Sequence, residues 1–523
     1  MSMKAIYKIV ALGLCLGLIS CSDFLDLQPK NKLGGEQFYQ TAEQFTMAVN
    51  GAYSTLQEGG QYGNWYVFSE IPSDNTHNLL SGSVVDQDEF DKFYIRTTNP
   101  YIANFWNKSY ACINRVNTVL DRIDNIDIDE TLSDRYKLEC KFLRALTYFN
   151  LVRVYGDVPL VLHEISINES YKYMRDPKEK VYEQIIADLK EAEALPISYK
   201  EDKNIGRATS GAAKALLGKV YLTLNKYSEA ETKLAEVINS KVYALLENEA
   251  GSLNNKGYAS VFHADNHNNK ETVFEVQFKK GGYGEGSDFP NTFAPFNSGT
   301  NVVQVGGTGG NNIPEMDMYN AYEDGDLRRD FSMALGYNCL LYTSDAADEY
   351  EDGDLRRDFS MALGYNDSRK DGKWVESRYV KKYFDIPYQN GDSNNNFPVI
   401  RYADVLLMYA EALNQNGKTA QACDYLNQVL RRGFGYQTTE TSPVDIKTSD
   451  KNEFFLIVEH ERRVELAFEG HRWFDLIRTG RAIEVMTSKG FKLNETNLTT
   501  PIPQKQVDVN PELKQNDYQI TPK

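Results

Sequence analysis

The sequence predicts a mainly α fold: a tetratricopeptide-like helical-repeat scaffold with long loops and a few short strands. Three observations carry that reading. Apolar residues recur at three- and four-residue spacing through residues 132–155, 176–195, 207–240 and 401–432, the period of a helix with one buried face. Two of these stretches, 207–240 and 401–432, set small residues against large ones over a length close to the roughly 34-residue helix-pair repeat. The intervening residues, 241–399, carry glycine tracts and one alternating stretch instead, which mark loops and a strand.

The chain opens with an address. Lys4 and Lys8 precede an apolar run, Ile9–Ile19, that is too short to span a bilayer. Leu18-Ile19-Ser20-Cys21 looks like a bacterial lipobox, which makes residues 1–20 a leader and Cys21 the lipidated first residue of the mature chain. No other stretch is long and apolar enough to cross a membrane. The remaining cysteines show no metal spacing, and Cys112, Cys140 and Cys423 fall in helical patterns as small core residues.

Ile102, Trp106, Tyr110 and Ile113 make a helical stripe, which puts Trp106 in the core. Leu138, Phe142, Ala145, Leu146, Phe149 and Val152 form the apolar face of a helix over 132–155, stopped by Gly156-Asp157-Val158-Pro159. Asp176-Pro177 opens the next helix and Pro196 closes it. Within 207–240, Ala212, Ala215, Leu216 and Gly218 face Ala230, Leu234 and Val237 across a turn at Asn225-Lys226-Tyr227. The same plan recurs around Asn416-Gly417. Stacked pairs of this kind bury a continuous seam and leave loops free on one side.

Phe274, Val276 and Phe278 alternate with Glu275 and Gln277, which predicts a strand over 271–278 with one apolar face. The tracts at 281–286 and 306–310 lack the Gly-Lys-Ser/Thr of a phosphate loop and are expected to be surface loops. Tyr322–Asn338 and Tyr350–Asn366 are the same seventeen residues without a difference. Between them, residues 339–349 resemble the translation of a transposase adapter used in sequencing libraries. Evolved repeats drift, so residues 339–366 are read as an assembly artefact, with Asn338 joined to Asp367 in the natural chain.

Charged and bulky apolar residues are densest in 459–480, EHERRVELAFEGHRWFDLIRTG. His460-Glu461 begins like a zinc-protease helix, but the second His is missing. Paired carboxylates also suggest a glycosidase. The stronger reading is structural: Glu461 and Glu465 stand one turn apart and repel unless each meets a cation, and arginine pairs carboxylates bidentately. Gly470 is expected to end the helix. The net charge of −17 argues against nucleic acid or anionic lipid as a partner.

Several blocks in order resemble the SusD/RagB family of outer-membrane nutrient-binding lipoproteins: the lipobox, LRALTYF at 143–149 with YGDVP at 155–159, PVIRYADVLLMYAEA at 398–412, the 459–480 stretch, and PIPQ at 501–504 with NPELKQN at 510–516. The resemblance covers nearly the whole chain and makes 21–523 one domain. It implies a cell-surface protein, lipid-anchored at Cys21, that caps a SusC-like TonB-dependent transporter and delivers oligosaccharides, or peptides in some members. It implies no covalent chemistry, no cofactor and no metal, with the ligand site in variable loops. A protein-binding repeat adaptor and a surface glycoside hydrolase are the rival readings.

Sugars have flat apolar faces and polar rims, so their sites combine aromatic platforms with amide, carboxylate or arginine partners. The loop 59–78 has that mixture in Tyr62, Trp65, Tyr66, Asp74, Asn75 and His77, and the resemblance places its acidic-amide pair by the site. Tyr283, Phe289, Phe293 and Trp374 are the candidates from the middle loops. The expected ligand set is Trp65, Tyr66, Asp74, Asn75, Tyr283, Phe289 and Trp374.

Overall fold

Small residues decide how closely the helices of the scaffold approach. In the helix pair α5 (Ser210–Thr223) and α6 (Tyr227–Asn239), a Cβ at Gly218 would sit 2.7 Å from the Leu234 side chain. Asn225 makes the turn between them with φ +57°, a conformation that asparagine tolerates better than most residues. The computed structural model describes residues 38–78, 85–200, 202–248, 256–334, 365–367, 373–375 and 377–520. Cys21, its leader, and residues 335–364 of the duplicated region lie outside them.

The scaffold helices that precede this pair are α1 (Ala42–Ser54), α2 (Pro100–Arg122), α3 (Glu130–Tyr155) and α4 (Lys178–Ala192). After the loop region come α7 (Tyr402–Gln415), α8 (Thr419–Gly433), α9 (Lys451–Glu465) and α10 (Arg472–Arg478). Helix starts follow the expected chemistry: the side chains of Thr41, Asn99, Asp129, Thr209 and Asp450 cap α1, α2, α3, α5 and α9. Each helix from α2 to α8 packs on its successor, and α6 lies directly against α7. The two repeat units that are remote in sequence are therefore neighbours in one continuous stack. The stripe of α3 is buried apart from the partly buried Leu138, and Cys112, Cys140 and Cys423 are buried thiols.

Strands are short: β1 (Thr76–His77), β2 (Thr272–Val276), β3 (Ile313–Pro314), β4 (Met333–Ala334), β5 (Tyr365–Asp367), β6 (Lys373–Val375), β7 (Tyr379–Val380) and β8 (Phe397–Arg401). They pair antiparallel as β1–β3, β2–β8, β4–β7 and β5–β6. The chain leaves the scaffold along β2 and returns along β8, so residues 277–396 form one excursion closed at its base. The strand expected over 271–278 is shorter, and its polar face is not solvated. Glu275 is buried and accepts hydrogen bonds from the Asn268 backbone N–H (2.8 Å) and the Asn396 amide (2.7 Å).

The first copy of the duplicated sequence is built into the body. The Tyr322 hydroxyl donates to the Val464 carbonyl at 3.0 Å, and Arg328 is fully buried among carboxylates. Of the second copy, only Tyr365 and Asn366 are described, on β5.

Candidate ligand-binding face

The loop 59–78 folds inward. It makes a 3-10 turn at Tyr62–Asn64, a short helix at Tyr66–Ser69, and then β1. Trp65 is 2 % exposed, and its ring stacks on Phe474 with centroids 5.3 Å apart. Its indole N–H donates to the Gly470 carbonyl at 3.3 Å. Gly470 ends the turn after α9 with φ +79°, and a Cβ there would lie 2.4 Å from Trp65 Cδ1. Only glycine combines that dihedral with so close an approach.

Tyr66 is also buried, edge-on to Phe293 and accepting a hydrogen bond from the Gln87 amide. Asp74 takes both arms of the Arg472 fork, at 2.7 and 2.9 Å. Burial alone would raise the Asp74 pKa, but Arg472 and Arg463 outweigh it and hold the carboxyl below its usual range. Asn75 accepts from Arg463 Nε (3.0 Å) and donates to Glu70 (3.2 Å), while His77 meets Glu315 at 3.0 Å.

This corrects the expected ligand set. Trp65, Asp74 and Asn75 are buried with their aromatic and polar groups engaged in fastening the early loop to the C-terminal helices, and Tyr66 is buried against Phe293 and Gln87. Phe289, 1 % exposed, is likewise a core residue, stacked on Phe293 and packed against Tyr383 and Phe397. Trp374 lies on β6, and its side chain is outside the described part of the structure.

The carboxylates of 459–480 all meet cations. Arg401 spans Glu271 (2.6 Å), Glu465 (2.9 Å) and Glu469 (2.6 Å), Arg432 adds bonds to Glu271 and Glu465, and Arg328 joins Asp326, Glu461 and Glu465. Burial pushes Glu461 up to about 7, with Arg328 opposing it. At Glu465 burial acts in the same direction, yet Arg432, Arg401 and Arg328 prevail and hold it down at about 2. The network clamps the base of the excursion, where β2 and β8 meet, to α8 and α9. Among the described residues no group of three His, Cys, Asp or Glu side chains is placed to hold a metal ion.

Among the expected candidates whose side chains are described, Tyr283 reaches solvent. It is 69 % exposed at the tip of a hairpin closed by the Lys279 N–H to Glu285 carbonyl bond (2.8 Å). Tyr388, 64 % exposed, stands on the other side of the same glycine pair: a Cβ at Gly282 would touch its ring at 3.4 Å. The Gly281 and Gly282 N–H groups donate to Asp392 Oδ2 at 3.2 and 2.7 Å, and Tyr388 N–H donates to the Asp392 carbonyl at 2.8 Å. One buried aspartate thus positions both tyrosines.

Amides continue the support. Asn291 donates to the carbonyls of Val305 and Gly307 and accepts from Gly391 N–H, while Asn390 accepts from Gly307 N–H. Phe296, 43 % exposed, adds a third aromatic to these loops. Lys279 Nζ lies 5.3 Å from the Tyr283 ring centroid. The outcome is a set of exposed aromatic rings on hydrogen-bonded loops, beside amides and a cation, suited to stacking on a flat polar ligand. Sequence reading missed Tyr388, although Tyr388-Gln389-Asn390-Gly391 places an aromatic beside an Asn-Gly turn signal.

Comparison with known proteins agrees with this architecture. The family model described as SusD family matches residues 270–518, and one described as "Starch-binding associating with outer membrane" matches 23–222. A SusD-like protein of Formosa agariphila is 26 % identical over 98 % of this chain and 99 % of its own length. The solved structure of a laminarin-binding SusD-like protein is 26 % identical, with a TM-score of 0.71 over 92 % of this chain and all of that one. A SusD-like protein of Bacteroides fragilis, 22 % identical, superposes with a TM-score of 0.74 over 92 % of this chain and 98 % of that one.

Proposed function

This chain belongs to the SusD family, and we propose that it is a cell-surface lipoprotein that binds oligosaccharides and delivers them to a SusC-like TonB-dependent outer-membrane transporter. The family consists of binding proteins, and glycan binding is the activity its relatives support. In this reading residues 1–20 are removed, Cys21 carries the lipid anchor, and the protein does no covalent chemistry.

The observation that carries the ligand class is the pair Tyr283 and Tyr388. Both present broad faces to solvent, and both are fixed by Asp392, so little ordering entropy is lost when a ligand settles. The rims supply what sugar hydroxyls require: the exposed amide of Asn390 and the loop backbone, held from beneath by the buried Asn291. Trp374 is proposed as a further contact. Native affinity gels of residues 22–523 against a polysaccharide panel and a peptide digest test the reading. Retardation by a glycan that weakens in Tyr283→Ala and Tyr388→Ala supports it. Retention by peptides alone overturns the substrate class, and release of sugar fragments would favour the hydrolase.

A further inference from the structure

A second cleft, of about 270 Å³, opens beside α2 and shares no residue with the loops of Tyr283 and Tyr388. Trp106, Tyr110, Ile165, Tyr171, Val509 and Leu513 give it an apolar lining. Tyr171 and Val509 are each 44 % exposed and Ile167 is 75 % exposed. Exposed apolar surface gathered in a cleft marks a place where something binds, yet the volume falls below the roughly 300–1,000 Å³ usual for a small-molecule site.

Hydrogen bonds tie the segments that line the cleft together. Gln506 donates to Asn107 at 2.9 Å, and Asn510 donates to the Tyr173 carbonyl at 2.8 Å. A chain of contacts leads from the cleft to the first described residues. Asn114 accepts the Ile165 N–H at 3.2 Å, and the adjoining Glu164 holds Arg122 through two bonds of 2.7 Å. The Arg122 guanidinium in turn covers the Tyr39 ring at 5.2 Å. Asn114 and Arg122 are eight residues apart on α2, or roughly 12 Å.

We propose that the chain's own segment Phe24–Leu27 docks in this cleft. From Ser22 to Gln37 the apolar side chains are Phe24, Leu25, Leu27 and Leu33, and three of the four cluster in this segment. Leu27 is eleven residue steps before Phe38, a reach of up to about 35–40 Å. The run along α2 from Arg122 back to Trp106 is roughly 24 Å, so the segment reaches the whole cleft. The proposal rests on the reading of Cys21 as the mature N-terminus. With the lipid three residues before Phe24, docking holds the cleft side of the body toward the membrane.

The test uses residues 22–523 with a photo-crosslinking benzoylphenylalanine in place of Phe24. Intramolecular crosslinks to peptides from 106–114, 159–173 or 506–513 are expected. Crosslinks elsewhere in the chain, or between two molecules, overturn the proposal. In parallel, the double variant Phe24→Ser, Leu27→Ser is expected to exchange amide hydrogens faster in 159–173 and 506–513 and at an unchanged rate in α7 and α8. Unchanged exchange in all of these segments also overturns it. Glycan retardation by the double variant reads the ligand site separately, so the two readings fail independently.

Discussion

Asp74 and Arg472 are 398 residues apart in the chain and meet in a buried, two-pronged ion pair at 2.7 and 2.9 Å. With Trp65 stacked on Phe474 and bonded to Gly470, this pair fastens the early loop to the C-terminal helices.

Substitutions in that fastening are therefore expected to act on folding. Trp65→Ala removes a large buried ring and is expected to cost about 3–5 kcal/mol, read from urea unfolding. Asp74→Ala leaves Arg472 buried without its principal partner and lowers stability similarly. Glycan affinity, measured on the fraction that remains folded, should stay unchanged. A selective loss of affinity at full stability would return these residues to the ligand site.

How much of this was legible in the sequence divides along one physical line. Helix faces such as that of α3 announce themselves because their period is local. Trp65, Tyr66, Asp74 and Asn75 look like a sugar site by composition, but burial depends on partners hundreds of residues away. Glu275 misled for the same reason: alternation predicts a solvated face, and Asn268 and Asn396 instead cover it. Tyr388 shows the converse, since exposure of a lone aromatic in a loop has no periodic signature at all.

Arg401 touches three carboxylates at once. Arg401→Ala is expected to cost about 3–5 kcal/mol, because Glu469 and its neighbours stay buried with less compensation. Arg401→Lys should recover only part of that, since an ammonium cannot reproduce the planar fork. A variant as stable as the parent in chemical unfolding would refute the clamp.

Glu70 gives the protein a pH signature. Burial raises its carboxyl to about 7, against hydrogen bonds from Gly470 N–H and Asn75. In the unfolded chain the value is about 4.3. The folded state therefore binds the proton more tightly, and the stability this group adds is complete below the unfolded value and lost as pH rises through about 7. Relative to the parent, Glu70→Gln should gain stability between about pH 5 and pH 8. Parallel urea midpoints for the two proteins across that range would remove Glu70 as the cause.

At the loop face, Tyr283→Ala and Tyr388→Ala are each expected to weaken glycan retardation by about 1 kcal/mol, roughly fivefold, with the unfolding transition unmoved. Asp392→Ala should weaken it as well, since it removes the carboxylate that accepts the Gly281 and Gly282 N–H groups beside Tyr283, while the Tyr388 N–H keeps its bond to the residue 392 carbonyl. Equal retardation in all three variants would place the ligand elsewhere.

Arg328 of the first copy already fills the buried position between Glu461 and Glu465. Deleting residues 339–366 is expected to leave the unfolding transition where it is, because the deleted segment duplicates a part already in place. A deletion variant that fails to fold, or an intact insert on re-amplification from source DNA, would reject the artefact reading.

The pairing of β2 with β8 has one more consequence. Residues 277–396 leave and return at a base clamped by Arg401 and touch the stack again at fixed points such as Tyr322 and Arg328, so length added in the loops between those points leaves the helical stack in place. The entropy of closing a chain grows only with the logarithm of its length, so 28 additional residues in so long an excursion cost no more than a few tenths of a kcal/mol. On the proposed reading, ligand preference can therefore be rewritten in one stretch of the gene, while the helices beneath it inherit no new constraint.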